Sequence, residues 1–137
     1  ENFSAELAED YERTLTRFLA LQVRGSAHAA AVLKTLRTTL LAQGAPDKAA
    51  LAAGLEILGT TDLRPGMQDI VCPILLIMGE RDTLVPVNAG RETLRLCSDA
   101  RLEVIESAGH APFLAAPEAV AERINNFILQ ERIHSGL

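Results

Sequence analysis

Two short segments of this chain carry side chains that could move a proton. Gly79-Glu80-Arg81-Asp82 contains a carboxylic acid, and Ser107-Ala108-Gly109-His110 contains an imidazole. A carboxylate that accepts a hydrogen bond from one imidazole nitrogen fixes the tautomer of the ring. The other nitrogen is then free to take a proton from a nucleophile. Asp82 and His110 are therefore the candidate catalytic residues, provided that the fold brings them together.

The pattern around these segments predicts how they would meet. Residues 74–78 form a continuous apolar run, which is typical of a strand buried on both faces of a parallel sheet. A helix over residues 88–96, a strand over residues 102–106 and a helix that begins at Pro117 follow. Two strands joined through a helix run parallel and end at one edge of the sheet, where α/β proteins place their chemistry. We therefore expect the acid and the imidazole to form a hydrogen bond.

The first sixty residues carry three helical patterns, in which apolar residues recur at three- and four-residue spacing. The first helix is expected to begin near residue 4 and to end at Gly25. The second lies between Gly25 and Gly44, and the third begins at Asp47 and ends at Gly59. The linker that follows, residues 60–69, is expected to be irregular. Three helices connected by short loops form an antiparallel cluster. Their apolar faces alone do not close a large core, so we expect a further layer of structure beneath them.

The composition excludes several other classes of protein. The 137 residues are 48% hydrophobic and 23% charged, which predicts an ordinary globular unit. Thirteen Lys and Arg against eighteen Asp and Glu, with no basic stripe, argue against nucleic-acid binding. The longest apolar run is too short for a membrane span. Cys72 and Cys97 match no metal motif and no disulfide framework, so we expect packed thiols and a cytoplasmic protein.

No serine or cysteine of the chain is a convincing nucleophile. In many hydrolases the nucleophilic serine stands in the motif G-x-S-x-G, a sharp turn that exposes its hydroxyl. None of the five serines of this chain stands in such a motif: Ser4, Ser26, Ser98, Ser107 and Ser135. Cys72 precedes the buried strand, and Cys97 stands at a helix end. The third member of a catalytic triad is therefore missing.

The two loops resemble those of α/β-hydrolases. Residues 79–86 are similar to the acid loop of that family, and residues 109–113, followed by Pro117-Glu118, are similar to its histidine loop. The resemblance implies that Asp82 orients His110. It also implies that His110 acts as general base toward a serine and then as general acid toward the leaving group. This chemistry calls for no metal or organic cofactor.

The family's chain order is serine, acid, histidine, so the resemblance places the nucleophile and the oxyanion hole upstream of Glu1. The chain would then be half of an enzyme, with an α/β fold of parallel strands and flanking helices preceded by a helical lid. We assign residues 1–60 to the lid and residues 61–137 to the C-terminal part of the hydrolase core, an incomplete domain. Such a fragment is expected to be inactive alone, to need its missing N-terminal half, and to associate with itself.

The residues of the predicted helices resemble one group of esterases within the α/β-hydrolases. Residues 13–22 and 54–58 are similar to the lid of the esterases of biotin synthesis that hydrolyse pimeloyl-[acyl-carrier protein] methyl ester. This implies that a stretch of the first helix lines the acyl channel, although the same residues could form its packing stripe: Phe18, Leu19, Ala20, Leu21 and Gln22. Cationic side chains on these helices form a solvated face or meet the acidic acyl carrier protein: Arg13, Arg17 and Lys34.

Two other functions fit the same residues. A carbon-carbon bond or lactone hydrolase would keep the fold and change the chemistry. A non-catalytic module would use the helices to bind an acyl group or a partner, with Asp82 and His110 as a relic. Ala115 stands where many α/β-hydrolases carry an acidic residue. This difference argues against the interpretation as an epoxide or carbon-carbon hydrolase and does not affect the interpretation as an esterase.

Overall fold

The computed structural model describes residues 3–26, 29–44 and 46–134. Its N-terminal part is helical, with α1 (Phe3–Glu9), α2 (Tyr11–Val23), α3 (Ala29–Leu41) and α4 (Lys48–Thr60). A short 3-10 helix, Arg64–Asp69, leads to the remaining elements: β1 (Ile74–Gly79), α5 (Val87–Leu96), β2 (Ala100–Ile105), α6 (Pro112–Ala115) and α7 (Pro117–His134).

The first predicted helix is two helices in the structure. Asp10 separates them and caps the second, since its carboxylate accepts a hydrogen bond from the Arg13 N–H at 3.0 Å. This bond satisfies one of the backbone donors that the first turn of α2 leaves unpaired. The prediction of one continuous helix was wrong because the apolar spacing continues across the break, and the cap leaves no mark on that spacing.

Helix α4 begins as predicted and ends later than predicted. Asp47 caps it by accepting a hydrogen bond from a backbone N–H of the first turn at 2.9 Å. The helix continues through Gly59 to Thr60, so the predicted stop was wrong; a glycine inside a helix costs only about 1 kcal/mol relative to alanine. The linker is not wholly irregular either, because Pro65 stands in the first turn of the 3-10 helix, where its missing N–H is no loss.

Two parallel strands form the base of the α/β part. They pair in register, from Ile74 opposite Ala100 to Gly79 opposite Ile105, with α5 as the connection between them. The predicted order of strand, helix, strand and helix is confirmed. Strand β2 begins two residues earlier than predicted, and the short α6 precedes the final helix. Because both strands end side by side, the loops that follow them leave the sheet at the same edge.

The sheet is only partly covered. A small buried cluster of Ile105, Ala108 and Val120 lies between β2 and α7. The apolar residues of β1 are half-buried, not buried on both faces as predicted, because the described residues supply this strand with one neighbouring strand. Several large apolar side chains of α7 are exposed: Ile124, Ile128, Leu129 and Ile133.

The two cysteines, both predicted to be packed thiols, differ in exposure. Cys72 is exposed, so its assignment as a packed thiol was wrong, whereas Cys97 is half-buried. Free cysteines are usually buried, but Cys72 lies in the irregular segment between the 3-10 helix and β1, where it is open to solvent. None of the described helices is both long and apolar enough to span a membrane.

Candidate active site

Asp82 and His110 lie side by side at the edge of the sheet where both strands end. The Oδ2 atom of Asp82 is 2.8 Å from Nδ1 of His110. The acid side chain is 4% exposed and the imidazole is 35% exposed. The other carboxylate oxygen, Oδ1, accepts hydrogen bonds from the N–H groups of Leu84 at 2.8 Å and Val85 at 3.0 Å. The predicted hydrogen bond between the two loops is confirmed.

The surroundings of Asp82 favour its ionised form. Burial by itself raises the pKa of Asp82, but two backbone N–H groups and the His110 ring together outweigh burial, so the pKa lies below its ordinary value. An ionised carboxylate on Nδ1 holds the proton of the neutral ring at that nitrogen. The remaining nitrogen, Nε2, is then the basic one, which suits proton transfer from a hydroxyl.

Hydrogen bonds from backbone N–H groups join the loop after β1 to the loop after β2. From here on the acid loop means residues 80–86 and the histidine loop means residues 106–111. The Arg81 N–H donates to the Ala108 carbonyl oxygen at 2.9 Å. The Ser107 N–H donates to Oε2 of Glu80 at 2.8 Å. Ser107 adopts a left-handed backbone with φ of 54°, which few residues other than glycine, asparagine and aspartate adopt readily. These hydrogen bonds fix the two loops to each other next to Asp82 and His110, the pair that we call the dyad.

Gly79 stands where the loops approach most closely. A Cβ atom at this position would lie 2.0 Å from the Gly109 carbonyl oxygen and 2.5 Å from that of Ala108. These distances are far below any van der Waals contact, so only glycine fits while the loops keep this separation. Gly79 thus allows the approach that places the acid beside the imidazole.

A turn of the helical part also contacts the histidine loop. This interhelical turn, residues 22–26, joins α2 to α3 and contains Gly25 with a φ of +83°. The His110 N–H donates to the Gln22 carbonyl oxygen at 2.9 Å, and the Gly109 N–H donates to Oγ of Ser26 at 2.9 Å. Arg81 reaches the same turn, with Nη1 3.1 Å from the Gly25 carbonyl oxygen. The sequence predicted none of these contacts, because residues so far apart in the chain share no local pattern.

The predicted channel residues occupy the end of α2. Leu19 is buried, Phe18 and Gln22 are half-buried, and Ala20 and Leu21 are exposed. The carbonyl oxygen of Gln22 bonds to the histidine loop. The C-terminal end of this segment is therefore adjacent to His110.

The predicted cationic residues line two adjoining depressions on α2 and α3. Arg13 and Arg17 line one, Lys34 lines the other, and Arg37 lines both. Arg17 also forms an ion pair with Glu6 at 3.1 Å. Sequence reasoning missed Arg37, although its position three residues after Lys34 on the same helix places it on the same side.

In the described part of the chain, no three His, Cys, Asp or Glu side chains are grouped so that they could hold a metal ion. The titratable pair at the sheet edge is a carboxylate and an imidazole. That pair can take up a proton, stabilise the resulting charge and release the proton again.

Comparisons with known proteins agree with this geometry. A family model described as "Alpha/beta hydrolase family" matches residues 3–123. The chain is 44% identical over 126 residues to a "Pimeloyl-[acyl-carrier protein] methyl ester esterase" of Xanthomonas oryzae pv. oryzae, covering 92% of this chain and 50% of that protein. A protein of the same name from Stenotrophomonas maltophilia is 44% identical over 128 residues, covering 93% and 49%. The chain thus spans about half the length of these relatives and matches their C-terminal half.

Solved structures share the fold at lower identity. An esterase from Exiguobacterium antarcticum superposes with a TM-score of 0.78 at 21% identity, covering 92% of this chain and 46% of that one. A bromoperoxidase from Bacillus anthracis superposes with a TM-score of 0.80 at 21% identity, covering 93% and 47%. The different activities in these two names mean that the likeness concerns the fold alone.

Proposed function

This chain belongs to the alpha/beta hydrolase family, and from that premise we propose that it supplies the acid and the histidine of a serine carboxylesterase. The observation that carries the proposal is the 2.8 Å contact between Nδ1 of His110 and the buried carboxylate of Asp82. In this proposal the nucleophilic serine and the oxyanion hole belong to the half of the relatives' length that the chain does not span.

The proposed reaction proceeds in two steps. The serine hydroxyl attacks the ester carbonyl while Nε2 of His110 takes its proton, and Asp82 stabilises the imidazolium. His110 then passes that proton to the departing methoxide, which leaves as methanol, and an acyl-serine remains. In the second step His110 takes a proton from water, the resulting hydroxide attacks the acyl-serine, and the proton returns to the serine as the acid is released.

We propose pimeloyl-[acyl-carrier protein] methyl ester as the substrate. The identity of 44% to the Xanthomonas oryzae esterase of that name covers 92% of the chain, and so includes most of the helical part as well as the loops. Residues 1–60 would form the lid and residues 61–137 the C-terminal part of the core. The segment that ends at Gln22, beside the histidine loop, would line the acyl channel: Phe18, Leu19, Ala20, Leu21 and Gln22.

The carrier protein offers an acidic surface, and the cationic residues of α2 and α3 match it in charge. We assign this contact to the two adjoining depressions, where the cationic lining residues Arg13, Arg17, Lys34 and Arg37 outnumber the acidic ones, Asp10 and Glu12. Exposed charges of this kind chiefly accelerate association, and salt weakens their effect.

The test needs an intact enzyme, which is made by fusing this chain to the N-terminal half of the Xanthomonas oryzae relative. We refer to this fusion as the joined enzyme. Methanol release is measured from pimeloyl-[acyl-carrier protein] methyl ester and from a short methyl ester. We expect His110→Ala and Asp82→Asn to lower kcat by about 10³-fold or more. Asp69→Asn, which makes the same change at an exposed position, should leave kcat unchanged.

Each other outcome points to a different function. Turnover of methyl esters by a folded His110→Ala enzyme at the wild-type rate would contradict the proposed role of the dyad. Hydrolysis of carbon-carbon or lactone substrates without hydrolysis of methyl esters would favour another hydrolase of the family. Tight binding of the carrier-protein ester by a folded joined enzyme, with no hydrolysis of any substrate, would favour a binding module.

A further inference from the structure

The interhelical turn holds the backbone on the N-terminal side of His110. Two successive N–H groups of the histidine loop donate to it: that of Gly109 to Oγ of Ser26, and that of His110 to the Gln22 carbonyl oxygen, both at 2.9 Å. On its other side, the ring of His110 is bonded through Nδ1 to Asp82. The position of the imidazole is therefore set by the helical part as well as by the acid.

Turn and loop are in direct contact at this junction. A Cβ atom on Gly109 would lie 2.8 Å from the carbonyl oxygens of both Gln22 and Arg24, and 3.1 Å from Oγ of Ser26. Gly109 itself is buried, so its N–H has no ready access to water. Most of the groups that meet here belong to the backbone. The Ser26 hydroxyl is a side-chain group, so a substitution can remove it without changing the path of the chain.

We propose that Ser26 is a positioning residue for His110 and acts through the Gly109 N–H. The inference rests on the proposed function, since it concerns the place from which His110 transfers protons. Without the hydroxyl, a buried donor next to His110 loses its acceptor, which is costly enough to make the loop shift. A shift of the loop moves Nε2 away from the position that proton transfer requires.

This arrangement couples the helical part to the proton transfer. The segment proposed to line the acyl channel ends at Gln22, which is also the residue that accepts the His110 N–H. A displacement of α2 therefore acts on His110 directly through the hydrogen bond at Gln22, and through the turn by way of the hydrogen bond at Ser26, without any contact between α2 and Asp82 being needed.

The test compares Ser26→Ala, Ser26→Thr and Ser98→Ala in the joined enzyme. The control, Ser98, makes a hydrogen bond to the Ile70 carbonyl oxygen at an exposed position, away from the dyad. With a short methyl ester we expect Ser26→Ala to lower kcat by about tenfold. KM should change by less than about twofold, because ground-state binding is unaffected. Ser26→Thr, which keeps the hydroxyl, should restore kcat, and Ser98→Ala should match the wild type.

Hydrogen exchange supplies a second measurement. The amide of Gly109 should exchange faster in Ser26→Ala than in the wild type and in Ser26→Thr, because the bond from that N–H is lost. A purely structural role would lower the melting temperature of Ser26→Ala and leave the kcat of the folded enzyme unchanged. If Ser26→Ala does not fold, Ser26→Cys makes the same comparison, since a thiol is a much weaker hydrogen-bond acceptor than a hydroxyl.

The outcomes separate this inference from the proposed function. A wild-type kcat in folded Ser26→Ala, or an equal loss in Ser26→Ala and Ser26→Thr, overturns the role of the hydroxyl. In either case the loss of activity in His110→Ala still supports the esterase. If His110→Ala keeps its activity, the proposed function itself fails, and the positioning role fails with it.

Discussion

Replacing Gly79 by alanine tests whether the separation of the two loops sets the geometry of the dyad. The new Cβ atom would lie 2.0 Å from the Gly109 carbonyl oxygen and 2.5 Å from that of Ala108, and contacts under 3.0 Å are essentially never found. Both obstacles are backbone atoms, which cannot rotate away as the end of a long side chain does. The histidine loop must therefore move by about 1 Å or more relative to the strand.

The displacement is large enough to break the contact between the acid and the imidazole. A shift of this size along the hydrogen bond between Asp82 and His110 would lengthen it from 2.8 Å to about 3.8 Å, beyond hydrogen-bonding range. A misplacement of about 1 Å costs on the order of 10²-fold in rate, which corresponds to about 2.7 kcal/mol of transition-state stabilisation. Overpacking also lowers the free energy of unfolding by about 1–3 kcal/mol.

The assay is methanol release by the joined enzyme, with thermal unfolding measured on the same samples. Gly54→Ala is the matched control, because a Cβ atom there meets nothing within 4 Å. Gly54 lies inside α4, where alanine is the better helix former by about 1 kcal/mol, so this variant should be slightly more stable and fully active. A folded Gly79→Ala enzyme whose kcat/KM stays within about threefold of the wild type would refute the reasoning.

Three further predictions follow from the charges and the exposed surfaces. The folded-state pKa of Asp82 is lowered, so its carboxylate stabilises the fold above the unfolded pKa of about 3.9, and this stabilisation is lost as the pH falls through the folded pKa. Asp82→Asn should therefore flatten the fall in unfolding free energy below about pH 4, and an acid transition identical to that of the wild type would contradict this. Arg37→Glu should raise KM for the carrier-protein ester at low salt by about tenfold and leave the short ester unchanged, whereas Arg132→Glu on α7 should affect neither. Equal effects of Arg37→Glu on both esters would argue against a carrier-protein contact. The chain alone should show no esterase activity and should self-associate in light scattering, because apolar faces of α7 and β1 are incompletely covered; an active monomer would disprove this.

The dyad was accessible to sequence reasoning because it follows from topology. An apolar run and a second strand joined through a helix must run parallel, so the loops that contain Asp82 and His110 had to leave the same edge. No side-chain detail was needed for that step. The bonds from Leu84 and Val85 to the acid were not predicted, although an aspartate at the start of a turn commonly accepts such bonds.

Other features left no trace in the periodicity. The break at Asp10 separates two helices while the apolar spacing continues across it, and Gly59 lies within α4 although a glycine at that place was predicted to end the helix. The contact between Ser26 and Gly109 joins residues 83 positions apart. Its formation depends on how the helical part packs against the loops, and that packing is a property of the tertiary structure alone.

The pairing of Gly79 with Ile105 makes the dyad insensitive to the length of chain between its two members. Hydrogen bonds of the sheet set the distance between the strand ends, whereas the connection through α5 only has to span it. A residue inserted at the exposed turn around Ser98 would lengthen that connection and leave the loops in place. A slip of β2 by one residue against β1 would instead turn its side chains to the opposite face and carry His110 about 3.3 Å along the strand. Insertions should therefore accumulate in that turn during evolution, and it is the natural position for a fused tag or reporter.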